Sequence, residues 1–174
     1  MITGEKVILR AINKEDVSEL IEIHNDLDIK KQAMFHPFPI SLDQDIEWFE
    51  NITRDKSNRS IYFAIDDKET NNFVGYTSLR NINWINRNCS FGISLLPKMQ
   101  GKGFGKEATS LVINYAIKNL NLHKVQLEVI ADNKTAIELY KNLGFVEEGI
   151  LREQFYFDGF YFNVILMGRL TDKL

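Results

Sequence analysis

The chain has 174 residues, a length typical of one domain, and with 44% hydrophobic and 26% charged residues it has the composition of a folded globular protein. Its formal net charge of -3 argues against general affinity for nucleic acid or for a membrane surface. We therefore predict one domain over residues 1–174 whose ligands are small.

The first half of the chain predicts a strand, helices and a hairpin. A short alternating strand at 7–9 precedes a broken helical region that ends at Pro37-Phe38-Pro39. The pair Ser41 and Gln44 has the spacing of a capping box and predicts the start of the next helix. Apolar alternation over 61–65 and again over 73–79 predicts a hairpin.

The second half predicts a strand over 88–96, a glycine-rich loop, a long helix and a strand over 125–129. Asp132-Asn133 can cap a further helix that ends before Gly144. Two final strands flank Asp158-Gly159, a dipeptide typical of tight hairpin turns. This order of elements predicts an α/β protein in which helices cover a mixed sheet.

The loop Gln100-Gly101-Lys102-Gly103-Phe104-Gly105-Lys106 follows a strand and opens a helix. Its glycines let backbone N–H groups approach an anion at the positive end of the helix dipole. Lys98, Lys102 and Lys106 surround the loop, and a lysine in the first turn of a helix opposes the dipole. A bound polyphosphate would resolve that conflict, although an ordinary turn with solvated lysines also fits the loop by itself.

Two better-known phosphate motifs fit the loop less well. A P-loop is excluded because Gln100 replaces its first glycine and Glu107 replaces its hydroxyl residue. The residues 103–108 do match the dinucleotide pattern G-x-G-x-x-A, with Glu128 at a suitable distance downstream. The insertion 97–100 between strand and glycines disfavours that pattern, as does the antiparallel hairpin at the end of the chain. A dinucleotide-dependent oxidoreductase stays a minor alternative.

Metal and disulfide chemistry are not predicted. The single cysteine, Cys89, cannot form an internal disulfide and is expected in the core. The three histidines, His24, His36 and His123, lack metal-ligand spacing. No signal-peptide region and no run of transmembrane length is present, so we expect a cytoplasmic protein without a membrane partner.

Two motifs and the order of elements together resemble the GNAT N-acetyltransferase superfamily over nearly the whole chain. The motifs are Q-x-x-G-x-G at 100–105 and L-x-V-x-x-x-N-x-x-A-I-x-x-Y-x-x-x-G-F at 127–145. The resemblance is closest to the branch with ribosomal-protein N-terminal acetyltransferases and spermidine acetyltransferases, which shares the Asp158-Gly159 hairpin. It implies a mixed, mostly antiparallel sheet of about seven strands, flanked by helices in one GNAT domain.

The resemblance also implies acetyl-CoA as co-substrate and no metal. The loop amides from Gly101 to Lys106 would hold its pyrophosphate, and Asn133 would bind the pantetheine arm in addition to capping a helix. The strand before Pro97 would splay from its neighbour, so that backbone groups near Leu95 polarise the thioester carbonyl. The implied cofactor-binding residues are Leu95, Leu96, Gln100, Gly101, Lys102, Gly103, Phe104, Gly105, Lys106 and Asn133.

The implied proton donor is Tyr140, which matches the family tyrosine that protonates the departing thiolate, although a core role also fits its helical position. The general base is open, because Ser90 stands where relatives often have glutamate. Glu128 on the next strand is a weak candidate, since a solvated strand glutamate is the simpler interpretation, and water is the other.

The predicted function is direct transfer of the acetyl group to a primary amine in a ternary complex. The acceptor could be a protein N-terminus, a polyamine, an amino sugar or an aminoglycoside, and Phe35, His36, Trp84 and Asn86 are candidates to line its cleft. The alternative function is a noncatalytic acyl-CoA sensor or partner-binding module. Exposed sheet edges are compatible with a homodimer.

Overall fold

The computed structural model describes residues 1–171 and shows one sheet of eight strands with helices on both faces. The strands are β1 (Ile2–Thr3), β2 (Val7–Arg10), β3 (Ile61–Asp67), β4 (Phe73–Asn83), β5 (Asn88–Leu95), β6 (Lys124–Ile130), β7 (Val146–Phe157) and β8 (Phe160–Leu170). The helices are α1 (Val17–Asn25), α2 (Leu27–Gln32), α3 (Leu42–Arg54), α4 (Phe104–Lys118) and α5 (Lys134–Asn142). Single 3-10 turns lie at Lys14–Asp16 and Pro97–Met99.

The strands follow the order β1-β2-β3-β4-β5-β6-β8-β7. Neighbouring strands are antiparallel except β5 and β6, which are parallel. A parallel pair needs a crossover connection, and here α4 provides it. The predicted mixed, mostly antiparallel sheet is confirmed, with one strand more than expected because Ile2 and Thr3 pair with Leu9 and Ile8.

Local sequence signals start several of these elements. Ser41 and Gln44 form the predicted capping box, with bonds of 3.3 and 2.8 Å between each side chain and the other backbone N–H. The broken helical region is two helices, because Asp26 is extended and its carboxylate caps α2 by accepting the N–H of Ile29 at 2.8 Å. At the β7–β8 turn Asp158 and Gly159 have φ values of 47° and 84°, as a tight hairpin of type I′ requires.

Two apolar cores lie on opposite faces of the sheet. The larger core packs α4 and α5 against one face and includes Val112, Phe91 and Leu127. The smaller core packs α1 and α3 against the other face and includes Leu20 and Tyr76. The central strands β4 and β5 are therefore covered on both sides, which fixes their backbones at the point where the site is formed.

Candidate active site

The two parallel strands β5 and β6 separate halfway along their length. Their pairing is limited to three residues, from Asn88 with Lys124 to Ser90 with Gln126. Strand β5 nevertheless continues to pair with β4 as far as Leu95, opposite Gly75. A gap therefore opens between the second half of β5 and β6, and one edge of β5 has no strand partner there.

The backbone of Leu95 faces this gap. The next residue, Leu96, donates its N–H to the carbonyl of Val74 in β4 at 2.9 Å. Because successive N–H groups of a strand point to opposite edges, the N–H of Leu95 points away from β4 and into the gap. The carbonyl of Leu95 points the same way and accepts a hydrogen bond from the side-chain amide of Gln100 at 3.3 Å. Leu95 thus offers a backbone donor to a carbonyl oxygen bound in the gap.

The prediction that Leu96 binds the cofactor is not supported by this geometry. Its N–H is bonded to Val74, its carbonyl accepts the N–H of Met99 at 2.9 Å, and its side chain is 1% exposed in the core. Leu96 therefore holds β5 to β4, and the open edge belongs to Leu95.

Gly75 allows β4 to lie very close to β5, although the sequence patterns above did not point to this residue. An added Cβ would lie 2.2 Å from the carbonyl oxygen of Ser94 and 2.8 Å from the Cα of Leu95. Both contacts are with backbone, so a side chain would displace β5 at the point where it leaves β6. A glycine inside an apolar strand pattern was the available signal.

The glycine loop has the backbone conformation predicted for an anion site. Gly101 and Gly103 have φ values of 72° and 89°, in the left-handed region, and Gly103 is the N-cap of α4. The first N–H groups of α4, which starts at Phe104, have no partner within the helix and point out of its N-terminus. The ring of Phe104 is buried in the core and anchors the loop, so Phe104 can reach a phosphate only through its backbone.

The charges around the loop differ from the prediction in two ways. Lys98 lies 3.8 Å from Glu22 on α1 and belongs to that exposed ion pair rather than to the loop. Lys6, in the turn before β2, takes its place, with its Nζ 3.5 Å from the carbonyl of Lys102. With Lys102 and Lys106 it keeps the loop cationic, and a contact between residues 96 positions apart could not be predicted from the sequence.

Glu107 ties the first turn of α4 to the N-terminal turn. Its carboxylate accepts the backbone N–H groups of Glu5, Lys6 and Val7 at 2.5, 2.8 and 3.0 Å. A carboxylate in the first turn of a helix also offsets the dipole. This residue fixes where α4 and the loop before it sit on the sheet, and no local pattern in the sequence indicates that role.

Tyr140 on α5 lies beside the gap. Its ring packs edge-on against Phe91 of β5 and Phe145, with centroid distances of 6.3 and 5.8 Å. Burial raises the pKa of its phenol to about 12, so the hydroxyl is protonated at neutral pH and can donate a proton. Asn133 caps α5 by accepting the N–H of Ala136 at 3.1 Å, which confirms the helix-cap interpretation.

Neither Ser90 nor Glu128 is identified as the general base by its surroundings. Ser90 pairs with Gln126, and Glu128, two residues further along β6, lies on the same face of the sheet. Glu128 is exposed on a strand that pairs with β8 opposite Leu166. This environment is that of a solvated carboxylate, and its role as a base stays a prediction.

The four acceptor-cleft candidates separate into two groups. Phe35 lies against the smaller core, since its ring is 6.3 Å from the ring of His24, and His36 next to it packs on Phe38 at 5.1 Å. Trp84 and Asn86 lie in the turn between β4 and β5. This turn leads into Asn88, the first residue of β5, whereas Leu95 is the last residue of that strand.

Seven steps along a strand at about 3.3 Å each put that turn roughly 23 Å from Leu95. Trp84 and Asn86 therefore lie away from Leu95, and their place in an acceptor cleft stays a prediction. Trp84 instead donates its indole N–H to the carbonyl of Asn58 at 3.0 Å, and the N–H of Asn86 closes the turn on Asn83 at 2.8 Å.

Within residues 1–171, no three His, Cys, Asp or Glu side chains come together as metal ligands. In the same part of the chain, no helix is both long enough and apolar enough to cross a bilayer.

The sequence of this chain is similar to that of known proteins over nearly its whole length. The family described as "Acetyltransferase (GNAT) domain" matches residues 6–146. The spermidine N(1)-acetyltransferase of Vibrio cholerae is 33% identical over 170 residues, covering 98% of this chain and 96% of that protein. The enzyme of the same name from Escherichia coli strain K12 is 29% identical over 167 residues, covering 96% and 87%.

A solved structure shares the fold over almost its whole length. It is the crystal structure of spermidine N-acetyltransferase from Vibrio cholerae in complex with CoA and spermine, with a TM-score of 0.89 and 32% identity. The match covers 96% of this chain and 96% of that chain.

Proposed function

The chain belongs to the GNAT acetyltransferase family and is an acetyl-CoA-dependent N-acetyltransferase, and on this premise we propose that its acceptor is a primary amine of a small aliphatic polyamine. The support for the acceptor is the likeness to spermidine acetyltransferases along nearly the full length of both chains. The mildly acidic net charge of -3 also favours a cationic acceptor slightly.

The observation that carries the reaction is the open edge of β5 at Leu95. A thioester carbonyl seated there would accept the free N–H of Leu95, which stabilises the negative charge that develops on its oxygen. Leu95 lies on β5 between Phe91, which contacts the Tyr140 ring, and the glycine loop that follows the strand, and we infer that one extended ligand reaches all three.

We assign the steps to residues as follows. Acetyl-CoA supplies the activated acetyl group, and the backbone amides from Gly101 to Lys106 hold its pyrophosphate. Leu95 polarises the carbonyl, the amine attacks directly in a ternary complex, and Tyr140 donates its proton to the departing sulfur. A covalent acyl-cysteine step is not needed, because the only cysteine, Cys89, is fully buried in the core and its pKa is raised to about 12 by burial.

Arg80 favours a second candidate acceptor, an amine that carries an anionic group. Arg80 lies on β4 opposite Ser90, and a Cβ added to Gly92 of β5 would be 3.2 Å from its Nη2. Its guanidinium is exposed and forms no ion pair with any residue that the structure describes. Arginine binds carboxylate and phosphate in a planar fork and would repel a polycation.

The test is thiol release from acetyl-CoA with a panel of amines: spermidine, spermine, a dipeptide, an amino sugar and an aminoglycoside. The polyamine proposal expects the highest kcat/KM with spermidine or spermine. A preference for the dipeptide, whose carboxylate can bind Arg80, would replace it with the second candidate. Binding of acetyl-CoA without thiol release for any amine would favour the sensor alternative.

A further inference from the structure

A chain of buried polar side chains crosses the smaller core, and the mechanism above does not use it. His24 Nδ1 lies 2.5 Å from Asp45 Oδ1, and His24 Nε2 lies 3.1 Å from Tyr76 Oη. Asp45 is 1% exposed, and His24 and Tyr76 are each 6% exposed. The ring of Trp48, 5.1 Å from the imidazole, covers the cluster against solvent.

The partners allow one consistent set of hydrogen bonds. Burial is the largest cause that raises the pKa of the Tyr76 phenol well above its ordinary value, so the phenol keeps its proton and can donate it to His24 Nε2. The carboxylate of Asp45 accepts from Nδ1–H. In the tautomer with its proton on Nδ1, His24 turns a basic nitrogen toward Tyr76.

The chain leads to the reaction centre through β4 and β5. Tyr76 pairs with Ser94, and paired residues of antiparallel strands share one face of the sheet. The Ser94 hydroxyl contacts the Tyr76 phenol and opposes the effect of burial on its pKa. Ser94 directly precedes Leu95 in the sequence. The Ser94 hydroxyl, which contacts the Tyr76 hydroxyl, therefore belongs to the residue next to Leu95, whose N–H faces the gap.

Asp45 uses only one of its carboxylate oxygens in the contact with His24. Its Oδ2 is buried and has no hydrogen-bond partner among residues 1–171. A proton on His24 would convert the pair into an ion pair.

We propose that Tyr76, His24 and Asp45 accept the proton of the attacking amine, the role left open by Ser90; this rests on the proposed amine acetylation. As the amine nitrogen bonds to the acetyl carbon and the C–S bond breaks, its proton passes to the Ser94–Tyr76 hydroxyls. The Tyr76 proton then passes to His24 Nε2, and Asp45 stabilises the imidazolium. The sulfur takes its proton from Tyr140, and solvent later removes the proton of His24 and restores that of Tyr140. His24 and Asp45 act through Tyr76.

The charged and titratable groups around Tyr76, His24 and Asp45 come from several helices and strands. Asp45 lies on α3, Tyr62 on β3, and Tyr76 and Arg80 on β4. Tyr62, Tyr76 and Arg80 interact electrostatically with one another. On α2 the buried Lys30 has its Nζ bonded to the carbonyl of Phe38. Arg80 remains charged throughout the working pH range, so it does not itself create a pH-dependent step there.

The first experiment compares pH profiles of kcat/KM, from about pH 6 to about pH 9.5, with spermidine as probe. His24→Gln keeps a donor and an acceptor but cannot titrate, and Tyr76→Phe cuts the chain while keeping the ring. Both should lose at least about 10²-fold in activity at pH 7, and the loss should shrink as pH approaches the pKa of the amine. A loss of equal size at every pH would mean that the residues act structurally and would overturn the proposal.

Tyr62→Phe is the matched control. Tyr62 also packs edge-on against Trp48, with ring centroids 5.5 Å apart compared with 5.7 Å for Tyr76, but it does not contact His24. Its variant should keep the wild-type pH profile. A pH-dependent loss of activity in Tyr62→Phe as large as that in Tyr76→Phe would show that the effect does not come from the hydrogen bonds among Tyr76, His24 and Asp45.

The second experiment needs no acceptor. Nitrogen NMR of the ¹⁵N-histidine-labelled protein at pH 7 should show His24 with a proton on Nδ1 and none on Nε2. A protonated Nε2 would overturn the proposal, because His24 could then not accept from Tyr76. If the wild-type protein releases no thiol with spermidine, the polyamine proposal fails. The tautomer of His24, measured by NMR, decides separately whether Tyr76, His24 and Asp45 can accept a proton.

Discussion

A valine at Gly103 should damage the cofactor site far more than it damages the fold. Gly103 has φ 89°, and Gly159, in the β7–β8 turn outside the glycine loop, has φ 84°. A residue with a side chain in this region costs about 1–2 kcal/mol, so both valine variants carry a similar backbone strain. For a domain of this size that strain lowers Tm by about 2–8 °C.

Steric contact does not separate the two variants. A Cβ at Gly103 would meet only the flexible end of Lys6, at 3.4 Å, and a Cβ at Gly159 would meet nothing within 4 Å. The difference lies in the amides of the loop, which must point at the pyrophosphate. A lost hydrogen bond to a charged group costs about 1.5–3 kcal/mol, which is roughly a 10- to 150-fold loss of affinity for each bond.

Isothermal titration calorimetry of acetyl-CoA, with thermal unfolding measured in parallel, tests this prediction. Gly159→Val should bind acetyl-CoA as the wild type does, and Gly103→Val should bind it at least about 10-fold more weakly. If the two folded variants bound acetyl-CoA equally well, the proposed loop site would be wrong.

Further predictions concern single side chains. Tyr140→Phe should lower kcat about 10²- to 10⁴-fold with unchanged acetyl-CoA affinity, and a wild-type kcat would return Tyr140 to a packing role. Because its pKa is raised to about 12, Tyr140 ionisation should not reduce wild-type activity below about pH 10, which a pH profile checks. Glu128→Gln should keep most activity, and a large loss with a shifted acidic limb would make Glu128 the base. Arg80→Gln should raise kcat/KM for spermidine about fivefold, since removing one repulsion in water relieves roughly 1 kcal/mol, and an unchanged value would remove Arg80 from the acceptor site. Cys89 should resist iodoacetamide at pH 8 until the protein unfolds, because it is fully buried and its pKa is raised to about 12.

The sequence by itself determined the features that depend on neighbouring residues. The capping box at Ser41 and the turn at Asp158-Gly159 were both predicted and both formed. Each is decided within about four residues, where backbone conformation and short-range hydrogen bonds dominate. The family motif then placed Tyr140 and the loop on one fold, which the comparisons support.

Only the tertiary structure decided which distant residues meet. Glu107 binds the N–H of Glu5 across 102 positions, and His24 contacts Tyr76 across 52. Leu95 rather than Leu96 faces the gap because the β4 register assigns alternate N–H groups to opposite edges. Such contacts depend on strand order and register, which are set by how the two cores pack around the sheet, and no local pattern in the sequence encodes that packing.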